Sequence, residues 1–397
     1  MKRRLLPILM TLVLVCALPI WAAFVTSGDV TNPLVCTAGA TLPDLQAKID
    51  AAADNATITL DSDTTITETL VITGKTLTLD LNGCTLRMTG TGSVLKVSGR
   101  ATLTITDSRP QNPHTGSYAG LPAGGVITGG KADKGGGILL GGGCTLKLTG
   151  GCITDCHAIG AGGGGVVLNG DTAILYMSGT ARIENCTAET WGANAIFNSG
   201  TMYADGGTVD GTVNNQGTIR LSEGAAAETV FNGTVYNRSA GTIKAGRYNE
   251  TVENRGTITG GTFCGGVTDD GGTIEDGAYE TVKFNSDNGA QAKEEKVLRG
   301  QKVPNPAAPT KSGHTFVGWY LGDALYDFDT PVNAPLTLTA RWEEVPSSGG
   351  YYYYPTTDTK ADDAKGSPKT ADPGVALYAA LSLLSLTGLT CTARKKF

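Results

Sequence analysis

Apolar and polar positions alternate with a period of two along most of the chain, in short runs rich in Val, Ile, Leu and Thr. Ile58-Thr59-Leu60, Leu77-Thr78-Leu79-Asp80-Leu81, Leu103-Thr104-Ile105, Leu146-Lys147-Leu148 and Ile174-Leu175-Tyr176-Met177 are examples. Such alternation sends one set of side chains to each face of an extended strand, so it predicts half-buried strands. Glycines 135–137, 141–143 and 162–165 separate the runs and read as turns. Residues 53–279 contain no helical period. Just ahead of them, residues 41–53 place Leu45, Ile49 and Ala52 on one face of a short amphipathic helix.

The later half of this region repeats. Asn198-Ser-Gly-Thr201, Asn215-Gln-Gly-Thr218, Asn237 with Gly241-Thr242, Asn254-Arg-Gly-Thr257 and Asp270-Gly-Gly-Thr273 recur. The Thr positions are spaced by 17, 24, 15 and 16 residues. A short, uneven period of this kind predicts a solenoid, in which each coil buries its apolar face only by stacking on its neighbours. With the leading helix and the Asp80-Leu81-Asn82-Gly83 turn, residues 36–280 resemble a right-handed parallel β-helix of the pectate-lyase-like superfamily. In that setting the helix would cap the first coil and cover its open strand edge.

Both ends carry apolar runs of another kind. Lys2, Arg3 and Arg4 precede an apolar core from Leu5 to Trp21, followed by Ala22 and Ala23, so residues 1–23 read as a secretory signal peptide. Near the other end, residues 375–393 form a run of about 19 mostly apolar residues, enough to cross a bilayer as a helix. Arg394, Lys395 and Lys396 follow it and would stay cytoplasmic. Ser367-Pro368-Lys369-Thr370-Ala371 stands just before the run, and residues 367–397 resemble a Gram-positive cell-wall sorting signal. The resemblance implies sortase and peptidoglycan as partners, with cleavage between Thr370 and Ala371. Ser367 and Ala371 depart from the commonest form of the motif, while Pro368 and Thr370 match it. The competing reading of this end is a plain membrane anchor.

Composition narrows the function classes. The net charge is −6, and no run of Lys or Arg occurs outside the ends, which argues against nucleic-acid binding. Of nine Cys, Cys16 and Cys391 lie in the end segments, leaving an odd seven; Cys144, Cys152 and Cys156 show no paired zinc-knuckle spacing, and export would permit disulfides without assigning their pairs. Cys152, Cys156 and His157 admit a metal-site reading. The stronger reading makes these Cys small apolar residues stacked inside a coil. No cofactor or metal is expected.

From residue 281 the sequence changes style. Phe284, Gly313, Phe316, Gly318-Trp319-Tyr320 and Ala340-Arg341-Trp342 appear in order, and residues 281–343 resemble the Listeria–Bacteroides (internalin-type B) repeat. The resemblance implies a small β-grasp-like spacer or contact module with no catalytic residues. Phe284, Phe316, Trp319 and Trp342 would form its core, with Gly313 and Gly318 in turns. Residues 344–366, including Tyr351 to Tyr354, read as an unfolded tether crossing the wall.

Candidate chemistry is sparse. Asp155, Asp171, Glu184, Glu189, Asp205, Asp210 and the Asp269-Asp270 pair mostly adjoin Gly or Asn, where Asp serves turns. His114, His157 and His314 are isolated in sequence. Tyr176, Trp191, Phe197, Tyr203, Tyr236 and Tyr248 are candidate glycan contacts, as platforms for pyranose rings. The bland alternative is that these rings fill the coil interior. The expectation is an all-β, surface-displayed, non-catalytic protein that contacts glycans or host or bacterial surface proteins. The alternative is a polysaccharide lyase or glycosidase working in the groove of the helix, which would need carboxylates gathered from neighbouring coils.

Overall fold

The computed structural model describes residues 43–190 and 193–346. The chain divides into two compact units, one comprising residues up to Gly261 together with Val267–Glu275, the other Thr262–Gly266 and the residues from Asp276 on. The predicted signal peptide, the tether from residue 347 on and the sorting signal with its apolar run 375–393 lie outside the described residues. The start of the predicted tether is corrected, since Glu344 ends the strand Leu336–Glu344 and the Val345 N–H bonds the Gly313 carbonyl. Among the described residues, no helix is long and apolar enough to cross a membrane.

The first unit is mostly β, with long parallel sheets consistent with a β-helix solenoid. One row of in-register parallel strands runs from Ala56–Thr59 through Thr76–Asp80, Thr102–Thr106, Thr145–Leu148 and Ile174–Glu184, then through Thr201–Val209 and on to Thr273–Ile274. A second row starts at Thr64–Ile66 and passes through Thr85–Met88, Val126–Thr128 and Cys152–Thr154. The two long strands Ile174–Glu184 and Thr201–Val209 serve both rows in turn. A third row of nine strands runs from Leu70–Thr73 to Val267–Asp269. The chain visits the rows in order and returns to the first, so each return adds one coil.

Period-two alternation becomes columns in this arrangement. Leu77, Leu103, Leu146, Leu175, Met202, Ile219, Ile243 and Ile258 are partners from coil to coil, and all are at most 2% exposed. Each such side chain contributes roughly 1.5–3 kcal/mol by leaving water. In the third row Leu70, Leu95, Ile138, Val166, Ile196, Val213, Val235 and Val252 form a matching buried column. The recurring Thr residues are true register partners: Thr201, Thr218, Thr242, Thr257 and Thr273 stand one on another.

The Asn of the repeat has an internal role. In the third row the column Ile72, Val97, Leu140, Leu168 continues as Asn198, Asn215, Asn237, Asn254 and ends at Asp269. The four Asn are fully buried. Each Nδ2 donates to the Oδ1 of the next, at 2.7, 2.8 and 2.8 Å, and Asn254 donates to the Asp269 carboxylate at 2.8 Å. Backbone carbonyls of Thr218, Thr242 and Thr257 take further weak contacts from the same amides. Asp270, the residue at the repeat's sequence offset, turns outward instead and pairs with Arg255. Spacing to the next Thr therefore picks the wrong acid by one residue. A turn of different length shifts which residue faces inward.

The predicted helix forms over Pro43–Ala51, with Leu45 and Ile49 buried; Ala52 lies just beyond it and is half-buried. Its Gln46 side chain meets the backbone of Val71 as a strand would, accepting from its N–H at 2.8 Å and donating to its C=O at 3.1 Å. Lys75 Nζ donates to the carbonyls of Ile49, Asp50 and Ala52 at the helix end. These contacts satisfy groups that a first coil and a helix terminus leave open.

The second unit holds a five-stranded mixed sheet in the order Lys293–Leu298, Tyr279–Asn285, Leu336–Glu344, His314–Leu321, Ala324–Leu325. Its core gathers Val282, Phe284, Val297, Trp319, Val332 and Leu338, with Phe316 and Trp342 packed against it. Trp319 meets Phe284 and Phe316 edge-on, and Phe316 meets Trp342 likewise. Gly313 is a turn glycine at φ 72°, whereas Gly318 sits at a break in register within the strand His314–Leu321. The Gly318 expectation is thus corrected from turn to β-bulge, where a Cβ would press on the Leu325 side chain.

Candidate functional site

Outward positions of the first row form a second set of columns, and one of them concentrates the exposed chemistry. Thr57, Thr78, Thr104, Lys147, Tyr176, Tyr203 and Arg220 are successive register partners. Lys244 follows at the same offset, two residues after Thr242, with its N–H bonded to the Ile219 carbonyl. Tyr176 and Tyr203 are half-buried; Lys147, Arg220 and Lys244 are exposed. The two phenol rings stack face to face, with centroids 4.4 Å apart and planes within 5°. Lys147 Nζ lies over the outer face of the pair at 5.9 Å and the Arg220 guanidinium over the other at 5.4 Å. Partial burial, and next the Tyr203 phenol beside it, raise the Tyr176 pKa above the ordinary phenol value. It stays a donor well into the alkaline range.

This stacking changes what the rings can do. In-register parallel strands set successive outward side chains about 4.8 Å apart along the axis, so rings lie plate on plate. Their faces are taken by each other and by the two cations. In this arrangement the ring edges and phenol oxygens are the parts left uncovered. Tyr176 and Tyr203 thus lie on the surface as one stacked pair rather than as two separate platforms.

The other candidate aromatics disperse. Phe197 and Tyr236 are half-buried outward residues of the third row, separated in register by Asn214, and Arg238 covers the Tyr236 ring at 4.9 Å. Tyr248 is 0% exposed and stacks on Phe231 inside the coil at 4.9 Å, its hydroxyl donating to the Ala245 carbonyl. The Tyr248 contact reading is therefore corrected: no ligand in solvent reaches that ring. Trp191 lies outside the described residues, as do Ser367, Pro368, Lys369, Thr370 and Ala371.

The acids are scattered over turns and ladders. Asp155 occupies a turn at φ 50°, and Asp171 lies exposed in another. Asp205 accepts from the N–H and hydroxyl of Ser222 at 2.7 and 2.6 Å. Asp210 accepts from Asn232, which in turn accepts from Asn249. Glu184 ends the strand Ile174–Glu184. His157 bridges Thr187 Oγ1 at 2.7 Å and Glu189 Oε1 at 3.1 Å on a neighbouring coil, on an exposed face. His114 holds the Gly124 carbonyl and the Thr85 hydroxyl, and His314 the Ser312 carbonyl. Among the described residues, no group of three His, Cys, Asp or Glu is placed to hold a metal ion.

Cys144, Cys152, Cys156 and Cys186 are free thiols and at most 5% exposed, packed as small apolar residues. Burial, and next the Glu184 carboxylate, push the Cys152 thiol far up; the Cys156 sulfur and burial do the same to Cys186. Thiols held protonated in this way are poor nucleophiles and poor metal ligands.

Sequence reading missed the cationic members of the outward column. Lys147, Arg220 and Lys244 lie dozens of residues apart, and none belongs to a basic run. A usable signal existed: each stands two residues after the first residue of a first-row strand, as Tyr176 and Tyr203 do.

Comparison with known proteins reaches a small part of the chain. Two proteins of Evansella cellulosilytica, described as "Putative membrane protein" and "Putative Gly-rich membrane protein", are 39% and 40% identical to it over 67 residues. These stretches cover 16% of this chain, and 10% and 8% of the relatives. No solved structure matches. Residues 281–341 match the family model of the Listeria-Bacteroides repeat domain.

Proposed function

We propose that this chain is a non-catalytic surface protein that presents its solenoid, and the small repeat unit beside it in sequence, for contact with glycans or surface proteins. The observation that supports this most is the outward column of the first row. Cations, phenols and hydroxyls line up there over many coils at a regular spacing, which suits an extended ligand better than a small substrate. The right-handed, pectate-lyase-like form of the solenoid and a β-grasp-like form of the repeat unit are part of this reading. So are export by residues 1–23 and attachment through Ser367-Pro368-Lys369-Thr370-Ala371 to peptidoglycan by a sortase. A membrane-protein description of the two Evansella relatives agrees with an envelope location.

The test has two arms. The intact chain is exposed to plant, mucin and bacterial glycans, with both binding and newly released reducing or unsaturated ends measured. Binding without release is expected; released ends would replace the proposal with a lyase or glycosidase. In the producing cell, the chain is expected in the wall fraction, and Thr370→Ala should move it to the membrane fraction. An unchanged distribution in that variant would rule out sortase attachment.

A further inference from the structure

We infer that the column Lys147–Tyr176–Tyr203–Arg220–Lys244 is a binding track for a linear anionic polysaccharide lying along the solenoid axis. The inference rests on the glycan-contact reading above and gives it a ligand class and a place.

Three features carry it. The first is charge: the chain is acidic overall, at −6, yet three cations fall on one outward column within five coils. At about 4.8 Å per coil, Lys147 and Arg220 stand roughly 14 Å apart, with Lys244 one rung beyond. Cations gathered along one column of an acidic chain favour the approach of a polyanion there. The second is the covered ring faces. Proteins that hold single-stranded nucleic acid stack bases on open aromatic faces, and the faces of Tyr176 and Tyr203 are occupied by each other, Lys147 and Arg220. What the pair offers instead is two phenol groups at its rim, between the cations, suited to sugar hydroxyls and acid oxygens. The third is that the nearby carboxylate is engaged. Asp205, two residues from Tyr203 on the same face, accepts two hydrogen bonds from Ser222, so part of its accepting capacity is used within the protein. Lys147 and Arg220 lie over rings and form no ion pair among the described residues, and a cation over a ring keeps N–H groups available to a ligand.

The groups on the polymer could be carboxylate, sulfate or phosphodiester, and the experiment separates them. Binding of the intact chain to polygalacturonate, chondroitin sulfate and polyglycerol phosphate is measured against neutral dextran and a single-stranded oligonucleotide, over a series of salt concentrations. At least one anionic glycan should bind, with affinity falling as salt rises. Lys147→Ala, Arg220→Ala and Lys244→Ala should each weaken it by about two- to fivefold and flatten the salt dependence. The double reversal Lys147→Glu with Arg220→Glu should reduce it by more than about 20-fold. These side chains point outward, and an unchanged thermal unfolding curve for each variant confirms that folding is intact.

Each contrary result has its own meaning. Neutral dextran bound as tightly as the anionic glycans, with no salt effect, overturns the track but leaves glycan contact standing. Anionic binding that survives the double reversal overturns this location. Preference for the oligonucleotide overturns the ligand class. Failure to bind any glycan overturns both this inference and the glycan-contact reading.

Discussion

At the scale of single residues, position inside or outside a coil decides what a side chain does. Tyr176 and Tyr248 each stack on a neighbour in register, but one stack faces solvent and the other is sealed. Burial raises the Tyr248 phenol pKa well above its ordinary value near 10. The unfolded chain therefore loses that proton first, binds fewer protons above pH 10, and gains relative to the folded chain as pH rises. Stability should be level below the phenol range and fall above it. Tyr248→Phe removes the hydrogen bond to Ala245, at a cost of about 1 kcal/mol near neutrality, together with the alkaline penalty. Denaturant midpoints at about pH 8 and about pH 11 should show the gap between variant and parent narrowing. A gap that is constant across that range would contradict burial of this phenol. Neither ring's fate was legible in the sequence. Both belong to alternating runs, and a shift of one residue in where a turn ends exchanges inside for outside.

At the scale of elements, the Asn-x-Gly-Thr repeat is a set of three stacked columns with separate causes. Thr opens a first-row strand, and Asn carries the buried amide chain. Gly sits where neighbouring coils touch: a Cβ on Gly217 would meet the carbonyl oxygen of Gly200, and one on Gly256 that of Gly241. Asn215→Ala takes away the acceptor of Asn198 and the donor to Asn237. Leaving buried amides short of partners should cost about 2–4 kcal/mol, read as a lowered unfolding midpoint. Asn215→Asp keeps an acceptor for Asn198 but sets a buried carboxylate oxygen against Asn237 Oδ1, so it should not recover the loss at neutral pH. A loss below about 0.5 kcal/mol for the Ala variant, within the ordinary range of surface changes, would show that the amide chain is not a stabilising feature. The repeat itself was plain in sequence because all three columns need particular residue types. Its last member was misread, since Asp270 has the spacing but Asp269 has the register.

At the scale of the whole molecule, stability is divided. The solenoid gains its stability coil by coil through nearest-neighbour stacking, whereas the smaller unit depends on one aromatic cluster around Trp319. A core of that size supports only a few kcal/mol. Trp319→Ala should cost about 3–5 kcal/mol, enough to unfold residues 276–346. Hydrogen exchange should then show lost protection across Tyr279–Asn285 and Leu336–Glu344, with the buried columns of the solenoid still protected. Retained protection in those two strands would mean the cluster matters less than its packing suggests.

By itself the sequence determined the strands, the stacked repeat, the capping helix and the aromatic core of residues 281–343. These follow from local periodicity and from residue types that only one environment satisfies. Only the tertiary structure decided which rings are sealed, that Asp269 ends the amide chain, that Gly318 makes a bulge, and that Lys147, Arg220 and Lys244 share one face. The physical reason is the uneven coil. Turns of different length lie between strands that are in register, so neighbours in space have no fixed separation in sequence, and a surface made from one residue per coil leaves no contiguous trace.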